Sequence, residues 1–247
     1  MSNPNRDAAP VQALSLLTRR PASTRFEMFD RTAIGASAPM GAPMGDTRQA
    51  GNFSDKIRRA FDVLFSIFML IALAPLMLVA ALAIKLDSKG PVFYRQTRVG
   101  LNGAPFRITK FRSMRQDAEK AGVAVWASTG DCRITQVGCF LRKFRIDELP
   151  QFFDVLRGDM SVVGPRPERP EFVEILQEAI PDYDLRHSVK PGITGLAQVR
   201  YSYGASVDDA RIKHIYDTEY LKERSLRLDG RIIVETVAVV LFGKGAR

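Results

Sequence analysis

The sequence predicts an α+β protein: a mostly helical, compact cytosolic domain with short strands, preceded by a Pro-kinked, re-entrant membrane helix. Three observations support this class. An uncharged apolar run covers residues 63–84, two short β-rich stretches flank a glycine turn near residue 100, and helical patterns recur after residue 140. The 247 residues are enough for one substantial core with a tail or an anchor attached.

The charge balance indicates an anionic partner. Lys and Arg number 36 against 27 Asp and Glu, which gives a net charge of +9. Such a surplus suits nucleic acid, a phosphate-bearing substrate or an acidic membrane surface. The two cysteines, Cys132 and Cys139, have no neighbouring His or Cys to complete a metal site, so we expect two reduced thiols packed as small hydrophobes.

Residues 1–50 form a separate N-terminal region with little apolar periodicity. Its second half is rich in Gly, Ala, Pro and Met, and its first residues lack the apolar core of a cleavable signal peptide. Such a composition buries too little surface to offset the entropy of ordering. The sequence therefore predicts a disordered tail.

The run Val63–Ile84 carries no charge and is long enough to be a membrane segment. Pro75 lies near its middle, where proline breaks the helical hydrogen bonding. Basic residues flank both ends, and such residues mark the cytoplasmic side. We therefore expect residues 51–89 to form a re-entrant hairpin that turns at Ala74 and Pro75, in preference to a single span. The basic flanks are Lys56, Arg58, Arg59, Lys85 and Lys89.

The remaining residues, 90–247, are predicted to form one compact domain of mixed structure, which the resemblance described below implies to be the catalytic domain. Pro91–Arg95 and Phe106–Phe111 are typical of short strands around a turn at Gly100–Gly103. The last helical segment is too short to span a bilayer and either lies along the interface or packs in the core. The predicted helices are Ile146–Leu156, Glu168–Ala179, Val207–Lys222 and Arg231–Phe242.

Basic side chains cluster between residues 95 and 115, where no acidic residue occurs. Lys110 and Arg112 alternate with Phe111 in a predicted strand, which places both cations on one side. Guanidinium groups make bidentate contacts with phosphate oxygens. The pattern is compatible with phosphate binding and equally with a solvated face.

An acidic pair, Asp147 and Glu148, directly follows a second basic group that includes Arg142. Nearby positive charge is expected to lower the pKa of a carboxylate and keep it ionised, as a nucleophile or metal ligand requires. A helix N-terminus is the alternative explanation of the pair. Two stiff Gly/Pro loops follow, 156–169 with Arg166 and 189–198, and each is compatible with a phosphate clamp or a structural turn.

Taken in order, these segments resemble the bacterial sugar transferase family. The motifs that carry the resemblance are GPVFYRQTRVG, ITKFRSM, LRKFRIDELPQ, LRGDMSVVGPRPE and VKPGITGLAQV, and the likeness covers residues 53–247. The family comprises the monotopic phosphoglycosyl transferases that start exopolysaccharide and glycoconjugate assembly.

The resemblance implies a two-step reaction at the cytoplasmic face of the bacterial inner membrane. Asp147 would attack a UDP-sugar and release UMP, undecaprenyl phosphate would take the sugar phosphate, and Glu148 would position a metal or handle a proton. Mg²⁺ would be the cofactor, with both carboxylates close to it. Lys110, Arg112, Arg142 and Arg166 match family positions associated with the phosphates or nucleotide.

Two further hypotheses stay open at this point. The chain could be a membrane-tethered basic adaptor that holds nucleic acid or anionic lipid. The adaptor hypothesis assigns no function to the acidic pair or to the two Gly/Pro loops. It could also be a hydrolase that uses water as the final acceptor. The resemblance implies no nucleic-acid partner, and the sequence leaves both the sugar and a homo-oligomer open.

Overall fold

The computed structural model describes residues 53–116, 118, 131–201, 204 and 206–242. These residues form eight α-helices, four short strands and three 3₁₀ turns, which confirms the predicted α+β class with mostly helical content. The predicted disordered tail, 1–50, lies outside the described residues. The domain boundaries at residues 50 and 89 stay predictions.

The chain begins with two helices and a β-hairpin. The helices are α1 (Phe53–Ala72) and α2 (Ala74–Asp87), and the hairpin strands are β1 (Phe93–Val99) and β2 (Pro105–Phe111). The elements that follow are α3 (Gln136–Lys143), α4 (Gln151–Arg157), β3 (Ser161–Val163), α5 (Pro170–Ala179), β4 (Gly192–Thr194), α6 (Leu196–Arg200), α7 (Val207–Glu223) and α8 (Leu226–Phe242). The 3₁₀ turns are Leu101–Gly103, Ile146–Glu148 and Tyr183–Ser188.

The predicted interruption of the apolar run is present, but it falls at Leu73. Ala74 and Pro75 instead open α2, because proline is tolerated in the first helical turn, where its missing N–H has no intrahelical partner. Within the described part of the chain, no single helix has the length and apolar character to cross a bilayer. α1 and α2 meet that requirement only together, and they are bent by 61° at the break.

Helix α1 has its polar side chains inside and its apolar side chains outside. Arg58, Asp62 and Ser66 are spaced by four residues, so they share one face, and all three are buried. Leu64 and Phe68 lie on the opposite side with 68% and 62% of their surface exposed. In a water-soluble protein this arrangement is reversed.

The polar face of α1 is bonded to the rest of the protein at three points. Arg58 forms an ion pair with Asp229 of α8. The Asp62 carboxylate accepts hydrogen bonds from the Val162 backbone N–H at 2.9 Å and the Ser161 hydroxyl at 3.1 Å. A neighbouring residue, Arg59, donates to the carbonyls of residues 155 and 156 at the end of α4. The first half of the helix is therefore fixed to the rest of the protein.

The β-hairpin confirms the two predicted strands with different ends: β1 begins two residues later and ends four residues later than predicted, and β2 begins one residue earlier. β1 and β2 pair antiparallel, with Tyr94 opposite Lys110 and Val99 opposite Pro105. The turn contains Asn102 in a left-handed conformation, at φ 54°, and Gly103 at φ 75°. Asp154 of α4 accepts two hydrogen bonds from Thr109, which attaches the hairpin to that helix.

The predicted continuous helix Ile146–Leu156 is wrong. Residues 146–148 form a 3₁₀ turn, and α4 begins only at Gln151, directly after Pro150. Proline has no N–H for the carbonyl four residues earlier, so an α-helix cannot run through this position. The break separates the acidic pair from α4.

The expectation of packed cysteines is also wrong. Cys132 and Cys139 are free thiols, and both are exposed. Cys139 lies in α3, a short amphipathic helix whose buried residues are Gly138 and Leu141. The sequence did not reveal which face of this helix is outside.

The two Gly/Pro loops of the sequence lie against each other. β3 and β4 pair in parallel, with Ser161 opposite Gly192 and Val163 opposite Thr194. A Cβ on Gly192 would lie 2.1 Å from the Gly164 nitrogen, and a Cβ on Gly164 would lie 2.5 Å from the Lys190 carbonyl oxygen. The glycines are needed because the backbones approach too closely for a side chain.

Candidate active site

The acidic pair lies in a tight turn that follows α3. Arg145 enters this turn with φ 57° and ψ 18°, a left-handed conformation that only a few per cent of non-glycine residues adopt. Ile146 packs with Ala80 and Ile84 of α2 and with Phe111 of β2. The turn that carries the two carboxylates is therefore held between the second apolar helix and the hairpin.

Glu148 is the centre of a cluster of cations. Its carboxylate accepts a hydrogen bond from Lys110 Nζ at 2.8 Å and another from Arg166 Nη2 at 2.6 Å. A third cation, Arg145, lies 3.9 Å away. Burial alone would raise the pKa of Glu148, but the three cations outweigh it and hold that pKa well below its usual range. Glu148 is therefore ionised, and both of its carboxylate oxygens already accept hydrogen bonds.

Asp147 differs from its neighbour. It is 8% exposed, and among the described residues no group donates a hydrogen bond to its carboxylate or pairs with it. Burial, followed by the charge of Glu148, raises the pKa of Asp147 to about 6. Lys110, Arg142 and Arg166 lower it only in part.

The expectation that the arginines would lower the pKa of this carboxylate is therefore wrong for Asp147 and correct for Glu148. Glu148 takes the cations, and its negative charge then acts on Asp147. The Asp147 carboxylate therefore has no partner among the described residues, and it is ionised near neutral pH although burial destabilises its charged form. An activated nucleophile or a metal ligand with a vacant position behaves in this way.

The four predicted phosphate-binding residues fall into three groups. Lys110 and Arg166 bind Glu148, and 35% of the Arg166 side chain remains exposed to a ligand. The half-buried Arg142 guanidinium has no partner among the described residues, so it is open to an anion. Arg112 instead donates to the Lys89 and Ser88 carbonyls at 2.9 and 2.7 Å. Its role in substrate binding stays a prediction.

Sequence analysis did not single out Arg145 or Arg98. Both belong to the basic groups noted there, and Arg145 directly precedes the turn of the acidic pair. Arg98 donates to the Pro167 carbonyl at 3.2 Å and pairs with Glu168 at 3.6 Å, beside the loop that carries Arg166. Only the register of the hairpin, which is invisible in the sequence, places it there.

The carboxylates offer a limited site for a divalent cation. The described residues contain no group of three or more His, Cys, Asp or Glu side chains that could hold a metal. Asp147 has its oxygens free, whereas both Glu148 oxygens already accept hydrogen bonds. Mg²⁺ commonly binds through one or two carboxylates and substrate phosphates. The geometry fits a metal that shares Asp147 with a phosphate ligand.

Comparison with known proteins identifies the family of the chain. The family model described as bacterial sugar transferase matches residues 53–243. The chain is 51% identical, over 77% of its length and 45% of the relative's, to the UDP-N-acetylgalactosamine-undecaprenyl-phosphate N-acetylgalactosaminephosphotransferase of Aeromonas hydrophila.

Two further relatives differ in length, and one of them names glucose. Identity is 46% to the undecaprenyl-phosphate glucose phosphotransferase of Komagataeibacter xylinus, over 76% of this chain and 36% of that protein. It is 44% to the exopolysaccharide production protein PSS of Rhizobium leguminosarum bv. phaseoli, over 76% of this chain and 98% of that protein. The chain thus spans half or less of the first two relatives and nearly all of the third.

Proposed function

The chain belongs to the bacterial sugar transferase family, and on this premise we propose that it transfers a hexose-1-phosphate from a UDP-sugar to undecaprenyl phosphate. UMP is released, and the product starts exopolysaccharide or glycoconjugate synthesis. The observation that carries the proposal is the unpartnered, buried carboxylate of Asp147 beside a cation-bound Glu148. Relatives named for glucose and for N-acetylgalactosamine leave the sugar open.

The reaction proceeds in two displacements at the sugar-bearing phosphorus. A carboxylate oxygen of Asp147 bonds to that phosphorus, the bond to the bridging oxygen breaks, and UMP leaves with the electron pair. An oxygen of undecaprenyl phosphate then attacks the same phosphorus. The bond to Asp147 breaks, which returns the carboxylate and forms the lipid pyrophosphate sugar.

The cations beside the acidic pair support both steps by position and charge. Arg166 and Arg142 offer guanidinium donors to the phosphate oxygens, and Lys110 holds Glu148 so that Arg166 stays in place. Phosphoryl transfer depends mainly on such positioning and charge neutralisation. Mg²⁺ would supply further neutralisation of the pyrophosphate; Asp147 would hold it, and Glu148 would join only if its cation contacts opened.

We also propose that α1 and α2 enter the cytoplasmic leaflet of the inner membrane and return. α1 is bonded to the body through its polar face, and its inner residues Phe65 and Leu70 pack on the main core. α2 packs on the body through Ala80 and Ile84. Helices that both contact one body place it on a single side of the bilayer, which supports re-entry over crossing.

Charges on the outer face of α1 should therefore release the protein from lipid. We expect Leu64→Lys with Phe68→Lys to abolish flotation with vesicles of anionic bacterial phospholipid, since each lysine costs about 2.5–3.5 kcal/mol in the hydrocarbon core. Ile215→Lys is the matched control, because Ile215 is 65% exposed but lies on α7. Equal flotation of all three proteins, each with unchanged circular dichroism, would contradict membrane insertion of this face.

The activity is tested with a panel of UDP-sugars and undecaprenyl phosphate in vesicles, with UMP and the lipid product measured by mass spectrometry. We expect one donor to give both products in equal amounts. Free sugar phosphate without lipid product would instead indicate hydrolysis. Salt-sensitive retardation of nucleic acid in a gel, without UMP, would favour the adaptor.

The first step should also depend on pH. With donor alone, we expect one UMP per enzyme, released at a rate that falls about tenfold per pH unit below pH 6, because Asp147 must be ionised to attack and its pKa is about 6. Omitting the acceptor removes its own titration from the profile. A rate that stays constant down to pH 4 would exclude Asp147 as the attacking group.

A further inference from the structure

The loop that carries Arg166 is held almost entirely through its carbonyls. Pro165 and Pro167 have no N–H, so these two positions cannot donate a backbone hydrogen bond. Four consecutive carbonyls, 165 to 168, accept one bond each from other parts of the protein. The donors are Gly192 N at 2.9 Å, Arg186 Nη2 at 2.8 Å, Arg98 Nη1 at 3.2 Å and Val99 N at 2.9 Å.

The second of these contacts is directly at the residue that binds Glu148. Arg186 donates to the backbone carbonyl of Arg166, while the Arg166 side chain bonds to Glu148. The two contacts fix opposite ends of one residue. A side chain in phosphate chemistry loses effect when displaced by about 1 Å, so its backbone anchor is decisive.

Arg186 is not placed to touch a substrate. It is 6% exposed, and it lies in the 3₁₀ turn Tyr183–Ser188. Its guanidinium also pairs with Asp217 of α7 at 2.8 Å and bonds to the Tyr183 hydroxyl. Asp217 is itself 2% exposed, so the buried charge of Arg186 is neutralised by a buried counter-ion.

We propose that Arg186 and Asp217 form a positioning strut that sets the place of Arg166 at the active site and thereby links α7 to phosphate binding. A guanidinium is needed because one planar group must serve an aspartate, a hydroxyl and a carbonyl together. A lysine offers only one nitrogen. The effect of the strut on catalysis rests on the proposed function. The placement of Arg166 by Arg186 and Asp217 does not depend on it.

The test removes both charges together, because Arg186→Met alone would leave Asp217 buried without a partner. We expect Arg186→Met with Asp217→Leu to lower kcat/KM for UMP release by about 10²-fold. The same pair introduced into an Arg166→Ala protein should cause little further loss, since the strut acts through Arg166. If the combined protein instead lost kcat/KM by the product of the two separate losses, the proposal would be overturned, because a general structural defect acts independently of Arg166.

Hydrogen exchange gives a readout that needs no activity. We expect faster exchange at the amides of Val99 and Gly192, which donate to the loop carbonyls, in the double variant, with α7 as protected as in the wild type. Unchanged exchange at these two amides would overturn the strut. The control is Arg211→Met with Asp208→Leu, an exposed Arg–Asp pair on α7 at 4.0 Å, which should leave both readouts unchanged. If the wild type releases no UMP, the proposed function fails and hydrogen exchange alone decides on the strut.

Discussion

Asp147→Asn is expected to lose UMP release by at least about 10³-fold, because the amide has no nucleophilic carboxylate oxygen to form the phosphosugar intermediate. The change is nearly isosteric, and no hydrogen bond to Asp147 from the described residues is lost. Mass spectrometry of the wild type with donor alone should show the added sugar phosphate, and the variant should show none. A variant that turned over at the wild-type rate would rule out the covalent route.

The same substitution should stabilise the protein, which separates a lost nucleophile from a damaged fold. The pKa of Asp147 in the folded protein, about 6, lies above its ordinary value of 3.8, so the ionised form costs folding free energy above pH 6. We expect Asn to add on the order of 1–3 kcal/mol to the free energy of unfolding at pH 8. The gain should fade as the pH falls from 6 towards 3.8, because the aspartate is then protonated in the folded protein and increasingly protonated in the unfolded chain.

Thermal or urea unfolding at pH 8 and pH 4 measures this difference. Asp208→Asn is a suitable control, since that side chain is 91% exposed. A loss of stability at pH 8 in Asp147→Asn would show that the carboxylate has a partner that stabilises it.

Glu148→Gln is expected to destabilise the protein, in contrast to Asp147→Asn. It leaves the side chains of Lys110 and Arg166 without their counter-charge, and removing one partner of a buried ion pair costs about 3–5 kcal/mol. The pKa of Glu148 is held low in the folded protein, so its stabilising contribution is present above its ordinary pKa of 4.5 and is lost at lower pH.

UMP release by Glu148→Gln should fall by about 10²-fold, because Arg166 loses the contact that holds its side chain. Glu174→Gln, on the exposed face of α5, should change both quantities by little. Equal stability of Glu148→Gln and wild type at pH 8 would contradict the organising role of this residue and would favour Glu148 as a free metal ligand.

The chain positions of the site could be predicted from the sequence, but the division of labour between them could not. Lys110, Arg166 and the acidic pair lie where the basic groups and stiff loops indicated. Which carboxylate receives the cations depends on the left-handed turn at Arg145 and on the contact between the hairpin and the 165–168 loop. The two cations that reach Glu148, Arg166 and Lys110, are 18 and 38 positions away from it in the sequence, beyond any local pattern.

The fold shows the same limit. The hairpin and α7 were predicted within a few residues, because alternation and a helical charge pattern are local signals. The break after Glu148 had a local signal as well, in Pro150, which the helical pattern obscured. The polarity of α1 was different: its apolar residues predicted a membrane segment, whereas the role of Asp62 and Ser66 appears only when β3 and the core are packed against them.

The buried polar contacts of α1 tie this helix to residues that come much later in the chain. Arg58 finds its counter-ion 171 residues later, so this buried cation is neutralised only after α8 has been synthesised. Trimming the first two helices to obtain a water-soluble fragment would remove the Arg58 ion pair from Asp229, two arginine hydrogen bonds from the α4 carbonyls and the Asp62 acceptor from Val162 and Ser161. Such a fragment would need compensating substitutions at these points, and intact protein in a detergent or nanodisc is the sounder starting material.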